Sequence, residues 1–398
     1  MPKLLQINIT ANWGSTGKIA ESIGIAALSR GWKSYIAYGR WSNPSSSRLI
    51  KVGNSLNKYL HFAEQRVFDN EGLCSRSATK QLIKQIEEIK PDVVQLHNIH
   101  DHYLNYRILF GYLNQTNIKV VWTFHDCWAF TGHCFHFVTK DCEKWKTGCF
   151  DCPMKKVFPK TVLDRSKEHY ELKKSLFGGC KNLTIVPCSD WMAGFVRQSF
   201  LKDKRIEVIK NGVDLSVFKP TTQWTNDGKY RILAVSNVWN QEKGLYDIYK
   251  LRSELPSEYL ITVVGLSEKQ VKDLPAGITG IPRTQNVQEL VDLYSQANVL
   301  INPTYADTFP TVNLEALACG TPVVTYKTGG SPEAIDDNTG MVVNQGDVEG
   351  MAIAIKTLCS VPRAKIVTYC RERAEQEFDK DKCFAKYVEL YEKLVIQR

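Results

Sequence analysis

The sequence predicts an α/β protein made of two successive parallel-sheet units. Short apolar runs of strand length alternate with helical patterns from one end of the chain to the other, which is the signature of parallel α/β layers. The alternation comes in two series, separated by the turn-rich, aperiodic stretch NGVDLSVFKPTTQWTNDG at 211–228. At 398 residues the chain is too long for one ordinary domain and suits two of roughly 200 residues each.

In the first series, strands are expected near 4–9, 34–38, 93–97, 119–124, 183–187 and 206–209, with the clearest helices at 17–29, 80–89 and 164–177. In the second, strands are expected near 230–235, 260–264, 299–301, 322–326 and 341–343, and helices at 245–253, 288–295, 312–318 and 348–357. The segment at 211–228 reads as the hinge. No internal repeat or low-complexity stretch interrupts the pattern.

A hydrophobic content of 43% supports a packed core, and the net charge of +9 is unevenly placed. Residues 1–208 carry 30 Lys and Arg against 18 Asp and Glu, a balance of +12, whereas 209–398 carry 21 against 24, a balance of −3. A basic first half points to an anionic partner or to a solvated lysine-rich surface. The first residues, MPKLLQINIT, read directly as a strand rather than as an export signal, and no apolar run approaches the roughly 20 residues that span a bilayer. The expectation is a cytoplasmic protein whose membrane contact, if any, is peripheral, with its twelve cysteines present as thiols or metal ligands rather than disulfides.

The chemistry concentrates in NPTYADTFPTVNLEALACGTPVVTYKTGGSPEAI, residues 302–335. A buried strand ends at Pro303, a loop carries Asp307, and a short helix opens near Thr311 and closes at Gly320, Thr321 and Pro322. In an open parallel sheet that loop lies at the carboxyl end of the strands, where ligands bind. The N–H groups of Thr311 and Val312 would face a diphosphate. Glu315, one turn into the helix, would reach the hydroxyls of a ribose. Gly329 and Gly330 arrive at the same edge from the next strand and let backbone approach a ligand closely.

This stretch resembles the acid-x7-acid signature of the retaining nucleotide-sugar glycosyltransferases of family 4 (glycosyltransferase group 1), and the resemblance extends over nearly the whole chain. It implies the GT-B fold: two Rossmann-like domains with parallel sheets facing a central cleft. An N-terminal acceptor-side domain would cover 1–208, with a cysteine-rich insertion at about 127–153 and the C-terminal helix 381–398 joined to it. A C-terminal donor domain would cover 209–380. The resemblance assigns Asp307 to sugar hydroxyls and Glu315 to the nucleotide ribose. The family commonly has Glu at the first of these positions, where this chain has the shorter Asp.

Further positions match the family's pattern. Lys243, before Gly244 in SNVWNQEKGL, corresponds to a lysine that neutralises the departing diphosphate. Its usual arginine partner is replaced by Asn237. His125, at the end of a predicted strand in VVWTFHDCWAFTGHC, matches a histidine close to the anomeric centre. Gly14, Ser15 and Gly17 in TANWGSTGKIAESI form a glycine turn before a helix, as the family has near donor and acceptor. The spacing is not that of a Walker A loop. The expected site is therefore His125, Lys243, Asp307 and Glu315, with donor contacts from Gly14, Ser15, Gly17, Asn237, Phe309, Pro310, Thr311, Val312 and Asn313.

All eight histidines lie between His61 and His169, and six of them between His97 and His136, which marks a site or sites in the first half. His97 reads equally as a buried structural histidine. Cys134, Cys142, Cys149 and Cys152 fall within nineteen residues and end in a C-x-x-C pair, a spacing that suits a structural tetrahedral zinc. An iron–sulfur cluster uses similar ligands, and Cys127, His133 or His136 would substitute for one cysteine. Similar cysteine-rich insertions occur in a bacterial polysaccharide-biosynthesis branch of the family.

The function implied is transfer of a sugar from a nucleotide-diphosphate donor to a glycan, or to an acceptor carried on a polyprenyl diphosphate, in surface polysaccharide assembly. No Asp-x-Asp pair stands in the 302–335 segment to offer a catalytic divalent-metal site. A sugar-nucleotide epimerase or glycan phosphorylase would use the same frame. A zinc-dependent nucleic-acid-binding protein is disfavoured, because the cysteine segment lacks a repeated basic helix and the Asp307–Glu315 pocket would go unexplained. No nucleic-acid partner is expected.

Overall fold

Strands buried on both faces are written as continuous apolar runs, and helices shield those faces. The computed structural model describes residues 1–157, 159–221 and 227–396. It divides into two compact units, Met1–Ile209 with Phe384–Arg398, and Lys210–Cys383.

The first unit is built on a seven-stranded parallel sheet. Its strands are β1 (Lys3–Asn8), β2 (Lys33–Tyr38), β3 (Arg48–Lys51), β4 (Val93–Leu96), β5 (Lys119–Phe124), β6 (Leu183–Pro187) and β7 (Arg205–Ile206), in the order β3-β2-β1-β4-β5-β6-β7. The order reverses between β1 and β4, the kind of switch point where open α/β sheets bind ligands. Registers Ile7↔Leu96 and Leu96↔Trp122 bring the carboxyl ends of β1, β4 and β5 side by side. Asn8, His97 and His125 therefore meet at one edge.

The second unit has a six-stranded parallel sheet of β8 (Tyr230–Val235), β9 (Tyr259–Val264), β10 (Ile278–Ile281), β11 (Val299–Asn302), β12 (Val323–Tyr326) and β13 (Gly340–Val343). Its order is β10-β9-β8-β11-β12-β13, with the reversal between β8 and β11. Both sheets are thus the parallel, helix-covered type that the alternation predicts.

The last helix, Lys380–Ile396, is tied into the first unit from Phe384 onward. Phe384, Tyr387, Val388, Tyr391 and Leu394 pack with Leu4, Ile23, Val93 and Val121. Polar groups fix its register. Tyr391 donates to Gln95 Oε1 at 3.0 Å, Gln95 donates to Thr123 Oγ1 at 2.6 Å, and Thr123 Oγ1 lies 3.1 Å from the Tyr387 hydroxyl. Each of these groups is buried and satisfied, so the chain positions the helix without leaving an orphan polar atom in the core.

Several elements differ from the sequence expectation. The first helix begins at Gly14 rather than 17, so the glycine turn is already its first turn. The strand expected at 206–209 is the shorter β7, and β3 and β10 are edge strands of four residues that no expectation covers. In the expected hinge, Val213 pairs with Asp379 as an isolated parallel bridge. Residues 222–226 of that segment lie outside the described residues.

Candidate active site

In the second unit, three strand-to-helix loops converge on Asp307. Gly244 has φ +74°, and a Cβ there would lie 2.1 Å from the carbonyl oxygen of Pro303, so only glycine lets the loop after β8 lie against the loop after β11. Tyr305 N–H donates to Glu242 O at 2.7 Å and locks the two loops together. The loop after β12 arrives through Gly329, φ +60°, whose Cβ would stand 1.7 Å from Asp307 O. Gly330 N–H donates to that same oxygen at 3.3 Å. The outcome is an ion pair, Lys243 Nζ to Asp307 Oδ2 at 2.6 Å, between side chains that both remain partly open to solvent.

The helix Thr311–Ala318 follows directly. Its N-cap is Pro310, no side chain caps it, and no acid stands in its first turn. Its leading N–H groups are therefore the unsatisfied, positively polarised end that favours an anion. Glu315 lies one turn on, and the Tyr294 hydroxyl donates to its Oε2 at 2.9 Å. Burial, reinforced by Glu315, holds the Tyr294 phenol well above its ordinary range, so it stays a donor and orients the carboxylate.

The remaining residues expected around this loop divide by exposure. Thr311 and Val312 are half-buried and Asn237 is exposed. Asn313 is fully buried, and its amide is spent on Asn302 and on Ser331 Oγ at 3.0 Å. Its side chain holds the loop after β12 in place. Phe309 and Pro310 are also buried, Phe309 with its ring 6.0 Å from that of Phe378, so they shape the loop.

A recess of about 360 Å³ opens elsewhere in this unit, lined by residues such as Arg231, Leu260, Ile278 and Ala297. Its one ionisable lining residue, Arg231, is paired with Asp227. It holds no group suited to the chemistry and lies away from the Lys243–Asp307 pair.

In the first unit, His97 Nδ1 and His125 Nε2 are 3.1 Å apart with their rings stacked, and His97 Nε2 lies 3.1 Å from Gln6 Oε1. Burial lowers both histidines, His125 to about 4, so the pair is neutral at ordinary pH. Gln6 Oε1 accepts from His97 Nε2–H, so His97 Nδ1 accepts from His125 Nε2–H, and the chain of bonds fixes the His125 ring. Beside it, His100 Nε2 sits 2.9 Å from Asp126 Oδ2. Burial alone would lower His100, but Asp126 and Asp101 outweigh it and raise its pKa to about 10, while His100 draws Asp126 down to about 2 against the effect of burial. Gly14 and Ser15 are exposed at the start of the first helix. Gly17 is buried, and a Cβ there would meet Thr10 Oγ1 at 2.7 Å, so glycine lets the first helix pack closely on the loop after β1.

The four clustered cysteines line one small space together with His133, Phe137 and Trp145. Cys134 is buried and hydrogen bonded to Cys152, a contact that pulls the Cys152 thiol down to about 7, and Gly132 N–H donates to Cys149 Sγ at 3.2 Å. Among the described residues, no group of three or more His, Cys, Asp or Glu side chains is arranged to hold a metal ion.

Two groupings escape sequence reading. Asp247 Oδ2 accepts from Tyr305 at 2.7 Å and from Tyr326 at 2.9 Å, bracing the Asp307 loop from behind. In the first unit, Asp101 and His102 adopt left-handed φ of 73° and 69°, and His102 bridges Glu71 and Arg40 at 3.1 and 2.9 Å. Two consecutive non-glycine residues with left-handed φ stand beside buried charges at this edge of the sheet. Histidine crowding was the one signal of it in the sequence.

Comparison with known proteins places these observations in a family. The family described as Glycosyltransferase Family 4 matches residues 26–217, and that described as Glycosyl transferases group 1 matches residues 229–360. A glycosyl transferase named for colanic acid biosynthesis, WcaC of Escherichia coli K12, is 23% identical over 87% of this chain and 88% of its own. A D-inositol 3-phosphate glycosyltransferase of Mycobacterium bovis is 29% identical over 44% of this chain and 41% of its own. Among solved structures, sucrose-phosphate synthase of Thermosynechococcus elongatus superposes with a TM-score of 0.75 at 16% identity over the whole of both chains. Anabaena HepE, solved with UDP and glucose, superposes with a TM-score of 0.66 at 14% identity over 98% of this chain and 99% of that one. WaaG, a glycosyltransferase involved in lipopolysaccharide biosynthesis, gives 0.64 at 15% identity over 98% and 99%. With both units matched by the family's two halves and the GT-B fold shared with these neighbours, the chain belongs to the group 1, family 4 glycosyltransferases.

Proposed function

We propose that the protein is a retaining glycosyltransferase of surface polysaccharide biosynthesis, moving a hexose from a nucleotide-diphosphate donor to a hydroxyl of a glycan or polyprenyl-diphosphate-linked acceptor. The observation that carries this reading is the Lys243–Asp307 pair at the open N-terminus of the helix Thr311–Ala318, with Glu315 one turn further on. Neighbours solved with UDP and with UDP-glucose support a nucleotide-sugar donor.

In this reading the donor diphosphate lies against the N–H groups of Thr311 and Val312, where the helix end is positively polarised. Lys243 exchanges Asp307 for a phosphate oxygen and neutralises the charge that grows as the leaving group departs. Asp307, released from the ammonium, accepts from sugar hydroxyls. Glu315, oriented by Tyr294, accepts from the ribose. The acceptor oxygen bonds to the anomeric carbon on the face from which the phosphate leaves, and its proton passes to the departing phosphate oxygen. Configuration is retained without an enzymic nucleophile. Lys243 and the helix end supply the positive charge, so no step is assigned to a divalent ion. His125, its ring oriented by His97, is assigned to the sugar side of the site.

The experiment is a screen of UDP-, GDP-, ADP- and dTDP-sugars for thermal stabilisation and turnover, followed by NMR of the product's anomeric proton. A glycoside with the donor's configuration supports the reading. A sugar phosphate, an isomerised nucleotide sugar or an inverted glycoside contradicts it.

A further inference from the structure

Of the tryptophans among the described residues, only Trp13 and Trp41 are exposed, at 45% and 51%. They lie side by side, with ring centroids 4.7 Å apart and planes inclined at 36°. Trp13 follows β1 and Trp41 follows β2, so both stand at the carboxyl edge of the first sheet, the edge that also carries His97 and His125. An indole ring carries a large apolar face, and leaving two of them half in water is costly unless a ligand covers them.

The fold holds the pair in place. Ala11 N–H donates to Trp41 O at 3.0 Å and Asn43 N–H to Ala11 O at 3.0 Å, which stitches the loop after β1 to the loop after β2. Side chains repeat the stitch: Asn43 Nδ2 donates to Asn12 O at 2.8 Å, and Asn12 Nδ2 to Pro44 O at 2.7 Å. Asn12 takes a left-handed φ of 49°, which asparagine tolerates, and the Thr10 hydroxyl donates to Trp13 O at 2.8 Å. The Arg40 guanidinium stands 5.6 Å from the centre of the Trp41 ring, while its Nη2 lies 2.9 Å from His102 Nδ1.

The chemistry around the rings selects the ligand. The exposed polar residues beside them in the chain, Ser15, Ser42 and Asn43, carry hydroxyls or an amide and no charge. A pyranose matches this surface, because its C–H bonds form an apolar face that stacks on an aromatic ring and its hydroxyls meet neutral donors and acceptors at the rim. A bilayer would call for a wider apolar strip bordered by cations.

We propose that Trp13 and Trp41 form a stacking subsite for an interior pyranose of the acceptor glycan, set back from the sugar that reacts. Neighbouring strands stand about 4.8 Å apart, and β1 and β2 are two and three strands from β5 in the order β2-β1-β4-β5. The rings are therefore about 10–15 Å along the edge from His125, the length of roughly two or three linked pyranoses. The subsite selects acceptors that already carry a short oligosaccharide. Only the role of that glycan as acceptor rests on the transfer reading above; its binding at the rings does not.

The test is calorimetry and saturation-transfer NMR of the whole protein with methyl glycosides, disaccharides and tetrasaccharides of glucose, galactose and mannose. No sugar nucleotide is present, so failure of glycan binding and failure of transfer are read separately. A tetrasaccharide binds, with saturation passing to its C–H protons. Trp13→Ala with Trp41→Ala weakens it by about tenfold or more, whereas Trp13→Phe with Trp41→Phe, which keeps the aromatic faces, stays within about threefold of wild type. In transfer assays the Ala pair raises the KM of a tetrasaccharide acceptor and leaves kcat and the KM of a monosaccharide acceptor unchanged. Unchanged circular dichroism and melting temperature show that the variants are folded. Absence of binding by every oligosaccharide in the set overturns the proposal, as does an Ala pair that binds like wild type or raises the KM of both acceptors equally. Weakened binding of free nucleoside diphosphate in the Ala pair assigns the rings to the donor base and also overturns it. Flotation with phosphatidylglycerol vesicles that the Ala pair loses, without glycan binding, assigns them to a bilayer and does the same.

Discussion

Lys243 Nζ lies 2.6 Å from Asp307 Oδ2, so the cation assigned to the leaving diphosphate is held, before any donor arrives, by the acid assigned to the sugar. Both side chains keep part of their surface in water, at 32% and 24% exposure. An ion pair at that exposure contributes at most about 1 kcal/mol, so exchanging Asp307 for a phosphate costs little. The pair keeps the lysine in position and releases it when a stronger anion binds.

Lys243→Ala is therefore expected to lower kcat by about 10²- to 10³-fold, the range for losing one charge-stabilising donor at a reacting centre. The melting temperature should barely move, because the lost pair is a weak one. Steady-state kinetics beside a thermal melt checks both; a large loss of stability with normal turnover would assign Lys243 to the fold.

Glu315→Ala is expected to raise the donor Kd by about tenfold or more, the usual cost of a charge-assisted hydrogen bond. Calorimetric titration with the free nucleoside diphosphate isolates this effect, since the ribose is present and the sugar is not. Equal weakening of a free sugar and no weakening of the nucleotide would move Glu315 away from the ribose.

Gly329→Ala is expected to disturb Asp307 directly. The added Cβ would sit 1.7 Å from the Asp307 carbonyl oxygen at a residue with φ +60°, so the loop must shift. Loss of both stability, of about 2 kcal/mol or more, and turnover is predicted. Chemical denaturation and a kcat measurement test it together.

The histidines of the first unit set a pH dependence of stability. Burial lowers His61, His125 and His169 to about 4, below the usual value of 6.5. The unfolded chain binds those protons more readily, so their contribution is complete above about 6.5 and is lost as pH falls from there towards 4. His100 is raised to about 10 by Asp126 and Asp101 against the effect of burial, so its contribution is complete below 6.5 and fades as pH rises towards 10. Melting temperatures across this range should peak near neutrality. His125→Asn should reduce the loss on the acid side while leaving the alkaline limb in place.

Much of this was legible in the sequence for a physical reason. Strands such as Val299–Asn302 and Val323–Tyr326 are buried on both faces, so their residues form uninterrupted apolar runs, and the turn after each must carry the glycines or prolines that mark it. The acids of the Asp307 loop followed from that framework. What stayed hidden depends on partners distant in sequence. Nothing local says that the Asn313 amide is spent on Ser331 or that Gly17 packs against Thr10. The edge strand Arg48–Lys51 is short, with charged residues at both ends. The helix Ser55–Phe68 has a regular apolar stripe, but periodicity does not say whether the stripe faces the core or the solvent. The cysteine spacing was plain, yet it did not reveal that Cys134 would hydrogen bond to Cys152 and Cys149 accept from Gly132 N–H around one small space.

The central claim, that the loops around Asp307 form a nucleotide-sugar pocket, is tested most directly by titrating wild-type, Lys243→Ala and Glu315→Ala proteins with UDP-, GDP-, ADP- and dTDP-sugars while following thermal stability and product. Stabilisation by one nucleotide class, weakened by Glu315→Ala, with turnover lost in Lys243→Ala, is the predicted result. Equal stabilisation of all three proteins, or none by any donor, would contradict it.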